Sequence, residues 1–468
     1  LLAAHRSALL GQVRGEQARR RKAVPQGGTA LQSACGAFHS ASALSFPMLD
    51  IIRSDNEEAV SRLLRAHATN LSSAEAVARR ILANVRRQGD RALVRYSRQF
   101  DGVDLRKVGM TVTPDEVECA YTNLPQNLFN ALVVAAKNIR ATARRQLPRA
   151  WQFEALPGVK VSQVLRPLER VVCYVPGGRY PLPSTVLMSV IPAQVAGVRE
   201  VLVTSPKPAP AVLVAAHMLG VSGIYRLGGA QAVAAFAYGT ESVPRVEKIV
   251  GPGNRYVAAA KKLVAGECGI DFVAGPSELV VVGAEGNPEW IAADLVAQAE
   301  HDPDAVAILI TPSRKLALRV QACAAQIVAQ LRLPVAQKSL AGQGCIILTR
   351  CLAEAAELVN RLAPEHLTLL EDAEGLLGRI QSAGSIFLGG YSPVAAGDYA
   401  SGTNHILPTS GAARLRGGLS AADFVKCISV QQITRKGLAR LRPSIVTLAR
   451  AEGLKAHAQS VEVRFKKR

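Results

Sequence analysis

Several side chains in this sequence have types and spacings suited to metal or proton-transfer chemistry. Gln298 and His301 lie three apart on a stretch with helical periodicity, which puts them on one face of that helix. Glu365 and His366 are neighbours directly after Pro364. A carboxylate and an imidazole side by side can move protons near neutral pH. Asp398 sits in AAGDYASGTNH, which ends on His405, and Glu452 and His457 stand in a basic tail. Two histidines with a carboxylate are a usual zinc set, and an amide oxygen can complete it. These residues are spread from 298 to 457, so spacing alone leaves ordinary surface and core roles open. His67 and His217 fall in helical patterns and read as such ordinary residues.

A second group gathers at three glycine loops: VPGG at 175–178, LGGAQ at 227–231 and VGPGN at 250–254. Each lies between a strand pattern and a helix pattern, where backbone N–H groups and a helix N-terminus can receive an anion. None spells the GxGxxG fingerprint, and one such loop alone is equally a tight turn. Three in succession at the ends of parallel strands point to a nucleotide site. Tyr174, Gln231 and Asn254, at or beside these loops, can hydrogen-bond a ligand or serve as caps and core. The eight cysteines form no CxxC pair, which fits neither a disulfide framework nor a zinc ribbon. Cys173 is a tempting nucleophile, but the apolar run RVVCYVP around it would raise its pKa.

The elements that must position these residues follow from periodicity. From about Asp50 to Phe100 the pattern is helical, with Ser72 and Glu75 forming a capping box ahead of AVARRILANVRRQ. A second helical pattern runs from about Pro114 to Leu147, with an irregularity at Pro125. After Arg166 strands and helices take turns: RVVCYVP, STVLMSV, EVLVTSP, AVLVAAHMLG, GIYRLGG, AQAVAAFAYG, KIVGPG and NRYVAAAKKLVAG. SELVVVG, AVAILITPS and GCIILTR read as further strands between helical segments. Such alternation calls for parallel sheets with helices on their faces, the α/β class. From about Gly389 the text turns to Gly-, Ser- and Asn-rich loops and then to a basic helical tail.

With 468 residues the chain exceeds one ordinary core, and its 49% apolar and 20% charged composition excludes global disorder. No apolar run is long enough for a transmembrane helix. The net charge of +20 is concentrated at the ends. Residues 1–46 hold five Arg and Lys22 against Glu16 alone, and thirteen basic residues face three acids from Arg414 onward. A polyanion-binding surface over the whole protein is therefore not supported. The tail carries only Phe424 and Phe465 as aromatics, and no RNA or DNA module is visible. The leader 1–46, rich in Arg, Ala and Ser, has the composition of an organelle transit peptide.

Eight segments then appear in a telling order: YVPGGRYPLPSTVLM, GGAQAVAAFAYGT, VGPGNRYVAAAKK, AGPSE, QAEHDPDA, LAPEHL, AGDYASGTNHILPT and EGLKAH. In sequence and order they resemble histidinol dehydrogenases over about residues 48 to 463. The resemblance implies oxidation of L-histidinol to L-histidine through L-histidinaldehyde, with two NAD reduced in succession. It implies zinc held by Gln298, His301, Asp398 and His457, the last coming from the partner subunit of an intertwined homodimer. Glu365 and His366 match the catalytic pair, and Tyr174, Gln231 and Asn254 match NAD contacts. Substrate contacts fall on Ser277, Gln298, His301, His366, Asp398, Glu452 and His457. A neutral imidazole at His366 suits proton removal from the alcohol.

The implied architecture is two incomplete Rossmann-like parallel-sheet domains with small helical N- and C-terminal extensions. A first α/β domain would take residues 47–170 with 276–412, including the N-terminal helices. The NAD-binding domain would take 171–275, and 413–468 would form a basic tail reaching the partner. No nucleic-acid or membrane partner is expected. With a Ser/Ala/Arg leader, the implied compartment is the plastid stroma, the mitochondrion or cytoplasm being the alternatives. A metal-dependent hydrolase using the same ligands is the rival reading of the chemistry.

Overall fold

In a computed structural model, which describes residues 48–66, 71–178 and 180–466, short β-branched runs form parallel strands and alanine-rich runs form helices. The leader 1–46 lies outside the described residues. One sheet has five parallel strands in the spatial order Gly223–Tyr225, Glu200–Thr204, Arg170–Tyr174, Lys248–Val250, Gly269–Ile270. Alternate residues of its central strand point to opposite faces. Val172 and Tyr174 enter one core with Phe236 and Val257, while Val171 and Cys173 enter the other with Leu187 and Val203. The helices Gly229–Tyr238 and Arg255–Val264 cover the first face, and Pro183–Ala196 and Pro210–Met218 cover the second.

From strand Arg170–Tyr174 the chain builds outward to one edge, then returns to lay Lys248–Val250 on the other side. Strand order therefore reverses between these two neighbours. In an open α/β sheet that reversal leaves a crevice at the carboxyl ends of the strands, where ligands bind. The loops at 175–178 and 250–254 leave these two strands.

The second sheet has six parallel strands: Asp50–Arg53, Cys345–Leu348, Val306–Thr311, Glu278–Val282, His366–Leu369, Ser385–Leu388. Leu279 and Val281 face one core, Val280 and Val282 the other, so ELVVV reads as an unbroken buried run. The helical reading from Asp50 is corrected at its start, because DIIR is an edge strand beside Cys345–Leu348. Four residues are too few for periodicity to separate strand from helix. Pro125 does interrupt the second helical stretch, which divides into Pro114–Thr122 and Gln126–Gln146.

A third, antiparallel sheet of Trp151–Leu156, Val159–Pro167 and Val425–Ile433 was not expected. It corrects the reading of residues 413–468 as a helical extension. The helices Arg435–Ala451 and Lys455–Glu462 begin only after a nine-residue strand. Among the described residues no helix is long and apolar enough to cross a membrane.

Candidate active site

Parallel pairing brings the first cluster together. Ser277 precedes strand Glu278–Val282, His366 opens the adjoining strand His366–Leu369, and His366 lies opposite Leu279. Both residues thus sit at the amino ends of neighbouring strands. The Ser277 hydroxyl donates to Glu365 Oε2 at 2.6 Å and accepts from Gln298 Nε2 at 2.7 Å. The backbone N–H of Glu278 donates to the same Glu365 oxygen at 2.8 Å. Gln298 is buried on the last turn of helix Pro288–Ala299.

His366 is almost fully buried, with Nδ1 3.0 Å from the Glu278 carbonyl oxygen. That carbonyl can only accept, so Nδ1 carries the proton and Nε2 is the nitrogen left for chemistry. Nε2 has no hydrogen-bond partner and lies 3.5 Å from Asp398 Oδ1. Glu365 Oε2 lies 3.5 Å from Nδ1 on the other side. Burial pulls the imidazole pKa down, but the charges of Glu365 and Asp398 outweigh it and push the value up to about 10. Burial raises the Asp398 carboxyl, yet His366 more than compensates and its pKa is lowered.

Asp398 lies one residue before the end of the short helix Val394–Tyr399, and its carbonyl oxygen lies 2.8 Å from His405 Nδ1. His405 Nε2 in turn meets Thr185 Oγ1 at 3.2 Å, on the helix that follows the first glycine loop. Burial lowers the His405 pKa, which keeps this linking imidazole neutral at pH 7. Contacts therefore run from Gln298 through Ser277, Glu365 and His366 to Asp398, and on to the other sheet.

His301 is exposed just beyond the Gln298 helix. Glu452 and His457 lie exposed on the tail and do not join this cluster. Among the described residues no group of three or more His, Cys, Asp or Glu could hold a metal. The four expected ligands are thus not assembled within a single chain.

The expected cofactor residues do meet. Tyr174, Gln231 and Asn254 line one cavity of about 600 Å³, with Gly177, Gly178 and Gly229 from the loops. The Tyr174 hydroxyl accepts from the Gly229 N–H at 3.0 Å, and burial pushes its pKa up to about 12. Asn254 caps helix Arg255–Val264 through the N–H groups of Tyr256 and Val257. The capping role left open by the sequence is therefore real, alongside its place in the wall. Gln231 is fully buried, and its Oε1 has no partner. A buried acceptor left empty is costly unless a ligand fills it.

The third loop is held by a buried ion pair between Lys261 and Asp271. Asp271 Oδ2 accepts from the Gly251 N–H at 2.7 Å, and Lys261 Nζ donates to the Gly251 carbonyl at 2.9 Å. Gly251 has φ +114°, and an added Cβ would stand 2.1 Å from the Tyr174 carbonyl oxygen. Only glycine permits that approach. Two further carboxylates escaped the sequence reading. Glu278 is a buried acid heading an apolar strand, which is a signal in itself. Asp101 lines the cavity from a π-helical turn, Ser97–Asp101, and nothing local announces it. Burial pushes its carboxyl up to about 6 against the charge of Lys207. Burial likewise takes Cys173 up to about 12, as its apolar strand predicts.

Comparison with known proteins decides the family. Residues 64–465 match the protein-family profile for histidinol dehydrogenase. The chain belongs to the histidinol dehydrogenase family. It is 49% identical over 395 residues to the histidinol dehydrogenase of Methanothermobacter thermautotrophicus, covering 82% of this chain and 92% of that one. It is 47% identical over 426 residues to that of Syntrophotalea carbinolica, covering 90% and 99%. The crystal structure of the Elizabethkingia anophelis histidinol dehydrogenase superposes with a TM-score of 0.85 at 36% identity, over 89% of this chain and 98% of that one. Two parallel sheets with helices on their faces were expected from the sequence and are present, beside an antiparallel sheet that was not.

Proposed function

We propose that this chain oxidises L-histidinol to L-histidine through L-histidinaldehyde, reducing two NAD in succession. As a member of the histidinol dehydrogenase family it is an NAD-dependent dehydrogenase. The observation that carries the reading is the run of contacts from Gln298 to Asp398, with one unpartnered imidazole nitrogen in its middle. An alcohol releases hydride only when its proton also leaves, and His366 Nε2 is the base for that proton. Its basicity at neutral pH requires the fields of Glu365 and Asp398 to be offset when ligands bind. Glu365, held by Ser277 and the Glu278 N–H, then takes the proton of the water that hydrates the aldehyde.

NAD fits the glycine-loop cavity, whose empty acceptor on Gln231 and buried Tyr174 hydroxyl suit a polar dinucleotide; when bound it supplies the hydride acceptor. For zinc, Gln298, His301 and Asp398 of one chain and the partner's His457 form a donor set of the right chemistry. When bound it supplies positioning and polarisation, without redox chemistry. Ser277 and the partner's Glu452 complete the substrate contacts.

The shared site requires a homodimer. The antiparallel sheet supports this, because it leaves Trp151, Phe153, Ile428 and Val430 exposed in a single chain. Exposed apolar patches of this kind mark association surfaces. The division of labour we propose is 47–170 with 276–412 for substrate and metal, 171–275 for NAD with Asp101 added from the N-terminal helices, and 413–468 for the partner. Incubating zinc-replete protein with L-histidinol and NAD tests the reading. Two NADH should form per histidinol, with L-histidine as product; absence of NADH would overturn it.

A further inference from the structure

Two side chains with acceptor oxygens, Asp101 and Gln231, line the NAD cavity together. Gln231 directs its Nε2 at Asp101 Oδ2, 3.1 Å away. A carboxylate oxygen can only accept from that amide, which fixes the amide's orientation and leaves Oε1 as the remaining acceptor. That Oε1 is buried and unpartnered. An added Cβ on Gly229 would stand 2.5 Å from it, so only glycine at this position leaves the amide oxygen room. Both Asp101 and Gln231 line the cavity, and Lys207 stands on the same wall.

Resting on the NAD-dependent reading above, we propose that Asp101 and Gln231 together receive the vicinal diol of the adenosine ribose, making Asp101 the residue that selects NAD over NADP. A vicinal diol brings two hydroxyl donors at adjacent positions, which is what two adjacent acceptors require. A 2′-phosphate in place of the hydroxyl removes one donor and sets like charge against the Asp101 carboxylate. The placement is unlike a standard dinucleotide fold, where the selecting acid follows the second strand. Here it comes from the N-terminal helices, on a π-helical turn packed over the sheet.

Among the described residues Asp101 forms no salt bridge, and its side chain is held by one amide, so the isosteric Asp101→Asn is expected to fold. Titration calorimetry on the intact wild-type protein with NAD and with NADP gives the reference ratio, before any turnover. Asp101→Asn should weaken NAD binding roughly tenfold, as loss of one charge-assisted hydrogen bond does. It should also narrow the NAD/NADP affinity ratio at least tenfold, since Lys207 is then free to meet a 2′-phosphate. Gln231→Leu removes an acceptor and the amide that holds Asp101 but no charge, so it should weaken NAD binding while NAD stays preferred over NADP. An unchanged ratio in Asp101→Asn, with NAD still bound by the wild type, overturns this inference and spares the proposed function. Wild-type protein that binds neither dinucleotide and makes no NADH overturns the proposed function itself.

Discussion

At the scale of single residues, His366 is defined by what surrounds it. One nitrogen is spent on the Glu278 carbonyl, the other faces Asp398, and Glu365 stands beside the ring. His366→Asn should lower kcat by about 10²–10⁴-fold, the usual contribution of a positioned general base, with the KM for NAD little changed. Steady-state kinetics with varied NAD checks both halves. Asp101 gives a separate prediction about stability. Its folded-state value of about 6 lies above the roughly 3.9 of an unfolded aspartate. The folded protein therefore binds the extra proton between those values, and the stabilisation present at low pH is lost as pH rises through about 6. Urea unfolding should show wild type losing stability relative to Asp101→Asn as pH climbs from about 4 to 7. Parallel curves over that range would contradict it.

At the scale of elements, the Lys261–Asp271 pair ties helix Arg255–Val264 to the loop at 250–254. It does so through both backbone polar groups of Gly251. Lys261→Met leaves the Asp271 carboxylate buried without its partner, which typically destabilises by about 3–5 kcal/mol. Chemical denaturation should report that loss. Replacing both partners with apolar residues should restore much of the stability, since buried pairs are often matched by well-packed isosteres. It should not restore NAD affinity, because the Gly251 N–H and C=O would remain unheld. Recovery of both together would mean that the pair stabilises the domain without positioning the loop.

At the scale of the whole molecule, we propose that a second copy supplies the part of the site that a single chain leaves out. Heterodimers of His457→Ala with His366→Ala should recover activity, because one of the two sites in each mixed dimer then keeps both residues intact. Each homodimer alone should be inactive. No recovery on mixing would contradict the shared site. Chelation should abolish turnover in wild type and leave the far-UV spectrum unchanged, since the cores are built from apolar side chains. We also propose that the leader 1–46 directs the protein to a plastid. N-terminal sequencing of the mature protein from its own cell should begin near Ser45, and retention of the leader would refute the proposal.

The α/β class was legible because alternation of apolar strands and alanine-rich helices is a local property, and parallel pairing follows from the connections it demands. The three glycine loops were legible for the same reason, each a short string between a strand and a helix pattern, whereas the roles of Tyr174, Gln231, Glu365 and His366 were read only from the resemblance. The edge strand Asp50–Arg53 and the sheet joining Val159–Pro167 to Val425–Ile433 were not, since partners hundreds of positions apart leave no periodic trace. Only the tertiary structure set Asp398 and Glu365 on either side of one imidazole, and put Asp101 against Gln231. Local patterning specifies which surfaces a segment must bury. Which acid then meets which base depends on how those buried surfaces stack, and with it the burial and charge that set their proton affinities.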